Sequence, residues 1–157
     1  VTFRLASYGV CIVNDEVLLT RWVSPHDDVT HWTLPGGGVD PYEDPFDAVI
    51  REVAEETGYE AVVERLLGVD SRVIPAAERV ERTADHQNVG VFYRIRITGG
   101  TLRPEPSGDT TEPCWTPLSE VPHRPRSSLV DIGITLALTL PPTGHVRPVP
   151  ITGLLRH

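Results

Sequence analysis

Four glutamates and one arginine, Glu43, Arg51, Glu52, Glu55 and Glu56, follow closely on the run Leu34-Pro35-Gly36-Gly37-Gly38. On a helical wheel at about 100° per residue, Glu52, Glu55 and Glu56 share an arc of roughly 100°. Like charges that close repel, destabilise the helix and push carboxylate pKa values upward. A bound divalent cation turns that repulsion into attraction, and ligands made only of oxygen suit Mg²⁺, with Mn²⁺ as the alternative. Arg51 keeps its charge and can hold a carboxylate in a two-pronged grip, which would orient Glu43 or Glu52. The three glycines let the backbone approach a ligand closely, and their amides could receive phosphate oxygens or end a strand. Together these residue types support metal-assisted hydrolysis of a diphosphate. That chemistry requires carboxylate oxygens open to a cation rather than tied up by arginines.

The elements that must position these groups are also legible. Asp44 is a natural N-cap, Pro45 suits the first helical position, Asp47 sits near the positive end of the dipole, and Gly58 can close the helix in the left-handed conformation. A helix from about Pro45 to Thr57 follows. Its apolar stripe, Phe46, Val49, Ile50, Val53 and Thr57, lies roughly 120° from the carboxylates, which predicts one anchored face and one free acid face. Strands are predicted over Phe3 to Val13, Val17 to Val23, His31 to Leu34, Glu60 to Ile74, Val89 to Ile97 and Cys114 to Thr116, with a turn at Asn14-Asp15-Glu16. The glycine run reads as a loop. A second helix is predicted over about Ser127 to Leu140, stopped by Pro141-Pro142. The pattern is α/β, a mixed β-sheet with helices on its faces, in a single domain over residues 1–140 with a proline-rich tail over 141–157.

Gly37, five residues, Glu43, seven residues, then Arg51-Glu52-Val53-Ala54-Glu55-Glu56-Thr57-Gly58 and a closing Tyr59 resemble the full signature of the Nudix hydrolases, the MutT-like family. Tyr59 departs mildly, since an aliphatic residue is more usual there. The resemblance implies the Nudix fold, an α/β/α sandwich. It implies metal ligands at Glu52, Glu55 and Glu56 with Gly37, support from Glu43, and a positioning role for Arg51. The implied reaction is attack by water on phosphorus of a nucleoside diphosphate linked to a further group X, with Glu52 or Glu56, or an acid from a later loop, as base. Among Glu105, Asp109 and Glu112, the last two are favoured, and Glu112 joins Gly36, Gly37 and Gly38 as a candidate substrate contact. Pro75, sixteen positions beyond Tyr59, leans the substrate towards ADP-ribose or a nucleotide sugar. A signature for coenzyme A substrates begins at Leu18-Leu19-Thr20-Arg21 but fails in its later spacing. A nucleotide sensor of the same fold, without turnover, is the alternative; such domains commonly lose acids from this segment, and none is lost here.

The whole chain fits this picture. Its 157 residues suit one core that needs no disulfide or metal staple. Cys11 and Cys114 are expected as reduced thiols, and with no apolar run near 18 residues and no basic-then-apolar N-terminus the expectation is a cytoplasmic protein without a membrane partner. A net charge of −8 disfavours long nucleic acid while leaving a small nucleotide derivative acceptable. Trp32, Phe92, Tyr93 and Trp115 are expected mainly in the core. The six histidines lack zinc-like spacing, with His26, His31 and His86 as outside candidates for substrate contact. Homodimerisation is left open.

Overall fold

The computed structural model describes residues 1–23, 30–79, 83–106 and 110–150. In chain order the elements are β1 (Thr2–Val10), β2 (Ile12–Val13), β3 (Glu16–Val23), β4 (Thr30–Thr33), β5 (Gly36–Gly38), α1 (Pro45–Thr57), β6 (Tyr59–Ile74), β7 (His86–Gly100), β8 (Thr110–Pro117) and α2 (Ser128–Thr139). Short 3₁₀ turns occupy Ala76–Glu78 and Val121–His123.

One sheet has the order β5-β1-β7-β6, with β1 and β7 parallel and the other pairs antiparallel. The second is built on β3, which pairs with β2 at one end, β4 at the other and β8 along its opposite edge. The strand expected over Phe3 to Val13 is therefore two: the chain passes Cys11 and changes sheets. Asn14 and Asp15, with φ of 52° and 61°, make the turn into β3 in the left-handed region that both residue types tolerate. The glycine run, expected as a loop, is strand β5, held in register by Ala6 opposite Gly38 and Tyr8 opposite Gly36. Glycine has low strand propensity, and here the pairing with β1 overrides it. β6 runs as expected with Tyr59 added, while β7 outruns its expected length at both ends because the two pair from Tyr59 opposite Gly100 to Ile74 opposite His86.

The helices bury opposite faces of the mixed sheet. Val49 and Val53 of α1 pack with Cys11, Leu18, Ala61, Tyr93 and Ile95, and Leu129, Val130, Ile132 and Leu136 of α2 pack with Ala6, Tyr8, Val10 and Phe92. The result is an α/β/α sandwich. Complete burial of Val49 and Val53 stabilises the seat of α1 by about 1.5–3 kcal/mol each. Cys11 is buried and Cys114 half-buried, both as free thiols, and burial pushes the Cys11 thiol up to about 11. Residues 141–150 lie along β6: Val69 N donates to Gly144 O at 3.0 Å, Arg72 Nη1 donates to Val149 O at 2.8 Å, and Val146 and Val149 pack against the core under α2. Residues 151–157 lie outside the described residues. Among the described residues no helix is long and apolar enough to cross a membrane.

Candidate active site

Both ends of α1 are tied down. Asp44 caps the start by accepting from Phe46 N at 2.8 Å, Pro45 takes the first position, and Ser7 Oγ of β1 donates to Pro45 O at 2.7 Å. At the other end Gly58 adopts φ 80° and its N–H returns to Ala54 O. A Cβ there would stand 2.3 Å from Thr101 O, so both conformation and space demand glycine. Arg103 adds bonds to Ala54 O and Glu55 O, satisfying carbonyls that a helix end leaves open. Ser7 and Arg103 carried no local sequence signal, since chain segments 38 and 48 residues away bring them to the helix.

The acid face of α1 is not free, as the wheel had suggested. Strand β5 lies over it, and being all glycine it comes close. A Cβ on Gly37 would sit 2.7 Å from Glu52 Oε1, and Gly36 N donates to Glu56 Oε2 at 3.2 Å. Glu56 is only 6% exposed, and the Glu52 side chain is 15% exposed against 50% for Glu55. The Gly36 amide, one of those expected to be open to phosphate, is thus engaged by a carboxyl group.

Arg51 organises the rest. Its Nε and Nη2 donate to the two oxygens of Glu43, each at 2.8 Å, in the expected fork. Nη2 also reaches Gly38 O at 3.1 Å, while Nη1 donates to Glu52 Oε1 at 3.0 Å and Glu55 Oε2 at 3.3 Å. The hydrogen bonds from Arg51, joined by one from Asp40 N, hold the Glu43 carboxyl down to about 2. Glu56 is pushed the other way: burial, then the charge of Glu52, raise it well above the usual carboxylate range. Burial raises Glu52 as well, against the pull of its Glu56 hydrogen bond and of Arg51. Both shifts express the cost of crowding two buried carboxyl groups together.

A bound divalent cation would relieve that repulsion, and a donor set made of carboxylate oxygens fits a hard ion. Arg51 engages one oxygen each of Glu52 and Glu55, so the cluster is only partly tied up, and Glu56 bonds no arginine among the described residues. In the arrangement seen, no three His, Cys, Asp or Glu side chains among the described residues already surround one point. Glu52, Glu55 and Glu56 are the side chains of this face that would hold such an ion, with Glu55 the exposed member.

The other candidates fall apart by position. Glu112 lies on β8 opposite Arg21 and forms an exposed ion pair with it at 3.4 Å. Glu105 is the later acid whose charge reaches Glu56, and Asp109 lies outside the described residues, as does His26. His31 is buried against Trp22, with ring centroids 4.9 Å apart, and His86 bonds Thr2 Oγ1 at 2.7 Å. Phe92 is core, Trp32 lies under the Arg124 guanidinium, and Trp115 Nε1 donates to Tyr59 OH, which accounts for the aromatic residue closing the motif. Pro75 ends β6 and opens the Ala76–Glu78 turn.

Comparisons with known proteins agree with this geometry. The model of the NUDIX domain family matches residues 3–134. A Bacillus subtilis (strain 168) protein with the provisional name 8-oxo-dGTP diphosphatase is 35% identical over 127 residues, covering 74% of this chain and 72% of that protein. Human diphosphoinositol polyphosphate phosphohydrolase 3-beta is 49% identical over 84 residues, 54% of this chain and 43% of that one. Most of the curated relatives are longer proteins, of which the match spans less than half. The crystal structure of a MutT NUDIX hydrolase from Burkholderia pseudomallei superposes with a TM-score of 0.64 at 26% identity, covering 87% of this chain and 98% of that one. With the family model spanning most of its length and the complete acid motif seated on the helix of an α/β/α sandwich, the chain belongs to the Nudix hydrolase family.

Proposed function

We propose that this protein is a Mg²⁺-dependent pyrophosphohydrolase that cleaves a nucleoside diphosphate linked to a group X. The observation that carries the reading is the Glu52–Glu56 carboxyl pair, roofed by Gly36 and Gly37 and steered by Arg51. Such a pair is costly to bury and has no structural purpose that an apolar pair would not serve better. Glu52, Glu55 and Glu56 would hold the ion, with Gly37 beside them. When bound, the ion offsets charge on the diphosphate and lowers the pKa of its water. The chain's own groups do the rest. Arg51 and Glu43 keep Glu52 aimed beneath Gly37. Water oxygen forms the new bond to phosphorus, its proton passes to Glu52 or Glu56, and the bridging anhydride oxygen leaves with its electron pair on the departing phosphate.

The names of the relatives, 8-oxo-dGTP diphosphatase and diphosphoinositol polyphosphate phosphohydrolase, support a phosphoanhydride as the bond cut. The lean towards ADP-ribose rested on Pro75, whose place in a turn gives it a structural reason to be there. The test is product release from ADP-ribose, diadenosine polyphosphates, NADH, nucleotide sugars and oxidised deoxynucleoside triphosphates, with and without Mg²⁺. Glu55→Gln and Glu56→Gln should each lower turnover by at least about 100-fold with the fold intact. Wild-type rates in both variants would overturn the metal site assigned to α1, and binding without turnover across the panel would leave a nucleotide sensor in place of the enzyme.

A further inference from the structure

Where α1 leaves the mixed sheet open, the usual pattern of the strands is turned inside out. An antiparallel pair with one packed face normally buries its apolar side chains and shows its polar ones to water. On β6, Asp70 and Arg72 instead point to the α2 side, where Arg72 is buried, donates from Nε to Asp70 Oδ2 at 2.7 Å and reaches Ser128 Oγ of α2. The residues between them face the other way, and Val69 and Val73 stand 46% and 50% exposed. β7 repeats the inversion. Asn88 is buried on the α2 side beside Tyr8, while Gln87 and Val89 look outwards, opposite Val73 and Ser71. On β1 the same two rows end in Phe3, which is 64% exposed, and in Leu5.

No side chain on this face carries a charge, in a chain of net charge −8. Its central polar groups serve each other, since Gln87 Nε2 donates to Ser71 Oγ at 3.0 Å, which lowers the cost of taking them out of water. Among the described residues nothing packs over it. The cover of α1 begins at Ser7, whose hydroxyl meets Pro45 O, and residues 141–150 lie on the side of α2. Five residues along three strands give a flat footprint of about 14 Å by about 17 Å. With a rim about 5 Å wide, one strand spacing, each of two stacked copies would bury about 650 Å², or about 1,300 Å² in all, which is within the range of specific dimers. A neutral apolar face is complementary to itself, whereas two copies of so acidic a chain repel elsewhere. A nucleic acid or a charged peptide would find no opposite charge here.

We propose that this face is the symmetric interface of a homodimer, in which the mixed sheets of two copies stack through Phe3, Val69, Val73 and Val89. The interface uses no side chain of the acid site, so it stands or falls apart from the hydrolase reading. Sedimentation equilibrium of the full chain from about 1 to about 200 μM tests it on wild type, on Val69→Thr combined with Val73→Thr, on Val73→Lys and on Leu138→Lys. Leu138 is the control, an apolar residue of α2 that is 62% exposed and lies away from the face. Both lysine variants change the net charge equally, so only position separates them. Wild type should dimerise with a Kd of about 10 μM or tighter. The threonine pair and Val73→Lys should each weaken the dimer by about tenfold or more, because each copy carries a hydroxyl or a charge into dry contact, and Leu138→Lys should stay within about threefold of wild type. If Val73→Lys fails to fold, the threonine pair decides, since it keeps the branched shape that strands favour at two exposed positions. A wild type that stays monomeric through about 200 μM, a threonine pair that dimerises as tightly as wild type, or a Leu138→Lys variant weakened as much as Val73→Lys overturns the proposal.

Discussion

Replacing Gly37 with alanine separates a glycine needed for Glu52 from one needed for the fold. The new methyl would meet Glu52 Oε1 at 2.7 Å, Cδ at 2.9 Å and Oε2 at 3.1 Å, all inside the 3.4 Å at which ordinary contact begins. The carboxyl must retreat by about 0.7 Å, the difference between 3.4 and 2.7 Å. Rotation alone does not relieve it, because both oxygens and the carbon are crowded. Retreat also stretches the 3.0 Å bond from Arg51 Nη1, which fixes the carboxyl's direction. A displacement approaching 1 Å in a catalytic group costs on the order of 100-fold in rate. The stability cost should be small, about 1 kcal/mol or less, since the obstacle is the end of a flexible side chain and not backbone. Gly37→Ala should therefore lose about 100-fold in kcat while its melting temperature moves by no more than about 4 °C. A variant with near-wild-type kcat, or one that fails to fold, refutes the reasoning.

Two further outcomes concern stability. In EDTA the protonated Glu56 makes the folded chain bind more protons than the unfolded chain between the ordinary carboxylate value of 4.5 and Glu56's raised value, so stability should fall as pH rises through that window. Glu43, held down to about 2, acts only below the window, where its contribution is lost as pH falls. Glu56→Gln should remove much of the decline in melting temperature as pH rises above the ordinary carboxylate range, and parallel curves for the two proteins would contradict the raised Glu56. Tyr42 is fully exposed with φ 66°, a left-handed strain with no packing to offset it. Tyr42→Gly should gain about 0.5–1 kcal/mol in urea unfolding, the strain of about 1–2 kcal/mol less the glycine's entropy cost, and a loss of stability would contradict this.

The limits of α1 were legible because Asp44, Pro45 and Gly58 act on their immediate neighbours, and all three work as expected. β6 was legible from Val and Leu patterning almost to its ends, whereas β7 was legible only in its middle, because pairing with β6 extends it from His86 to Gly99-Gly100. Strand β5 and the burial of Glu56 were hidden for one shared reason. A helical wheel shows which carboxylates lie together but not what covers them, and three glycines carry no sign that β1 will enlist them as an edge strand. The ion pair of Glu112 was hidden similarly, since its Arg21 partner depends on the register between β3 and β8, strands far apart in the chain.

The most direct measurement is a Mn²⁺ titration followed by the loss of free-ion electron paramagnetic resonance signal, in wild type and in Glu52→Gln, Glu55→Gln and Glu56→Gln. Wild type should take up at least one ion, and each substitution should weaken uptake by about tenfold or more, as expected for removing a charged oxygen ligand. Mn²⁺ binding that is absent in wild type, or unchanged in all three variants, would contradict a metal-dependent site on α1.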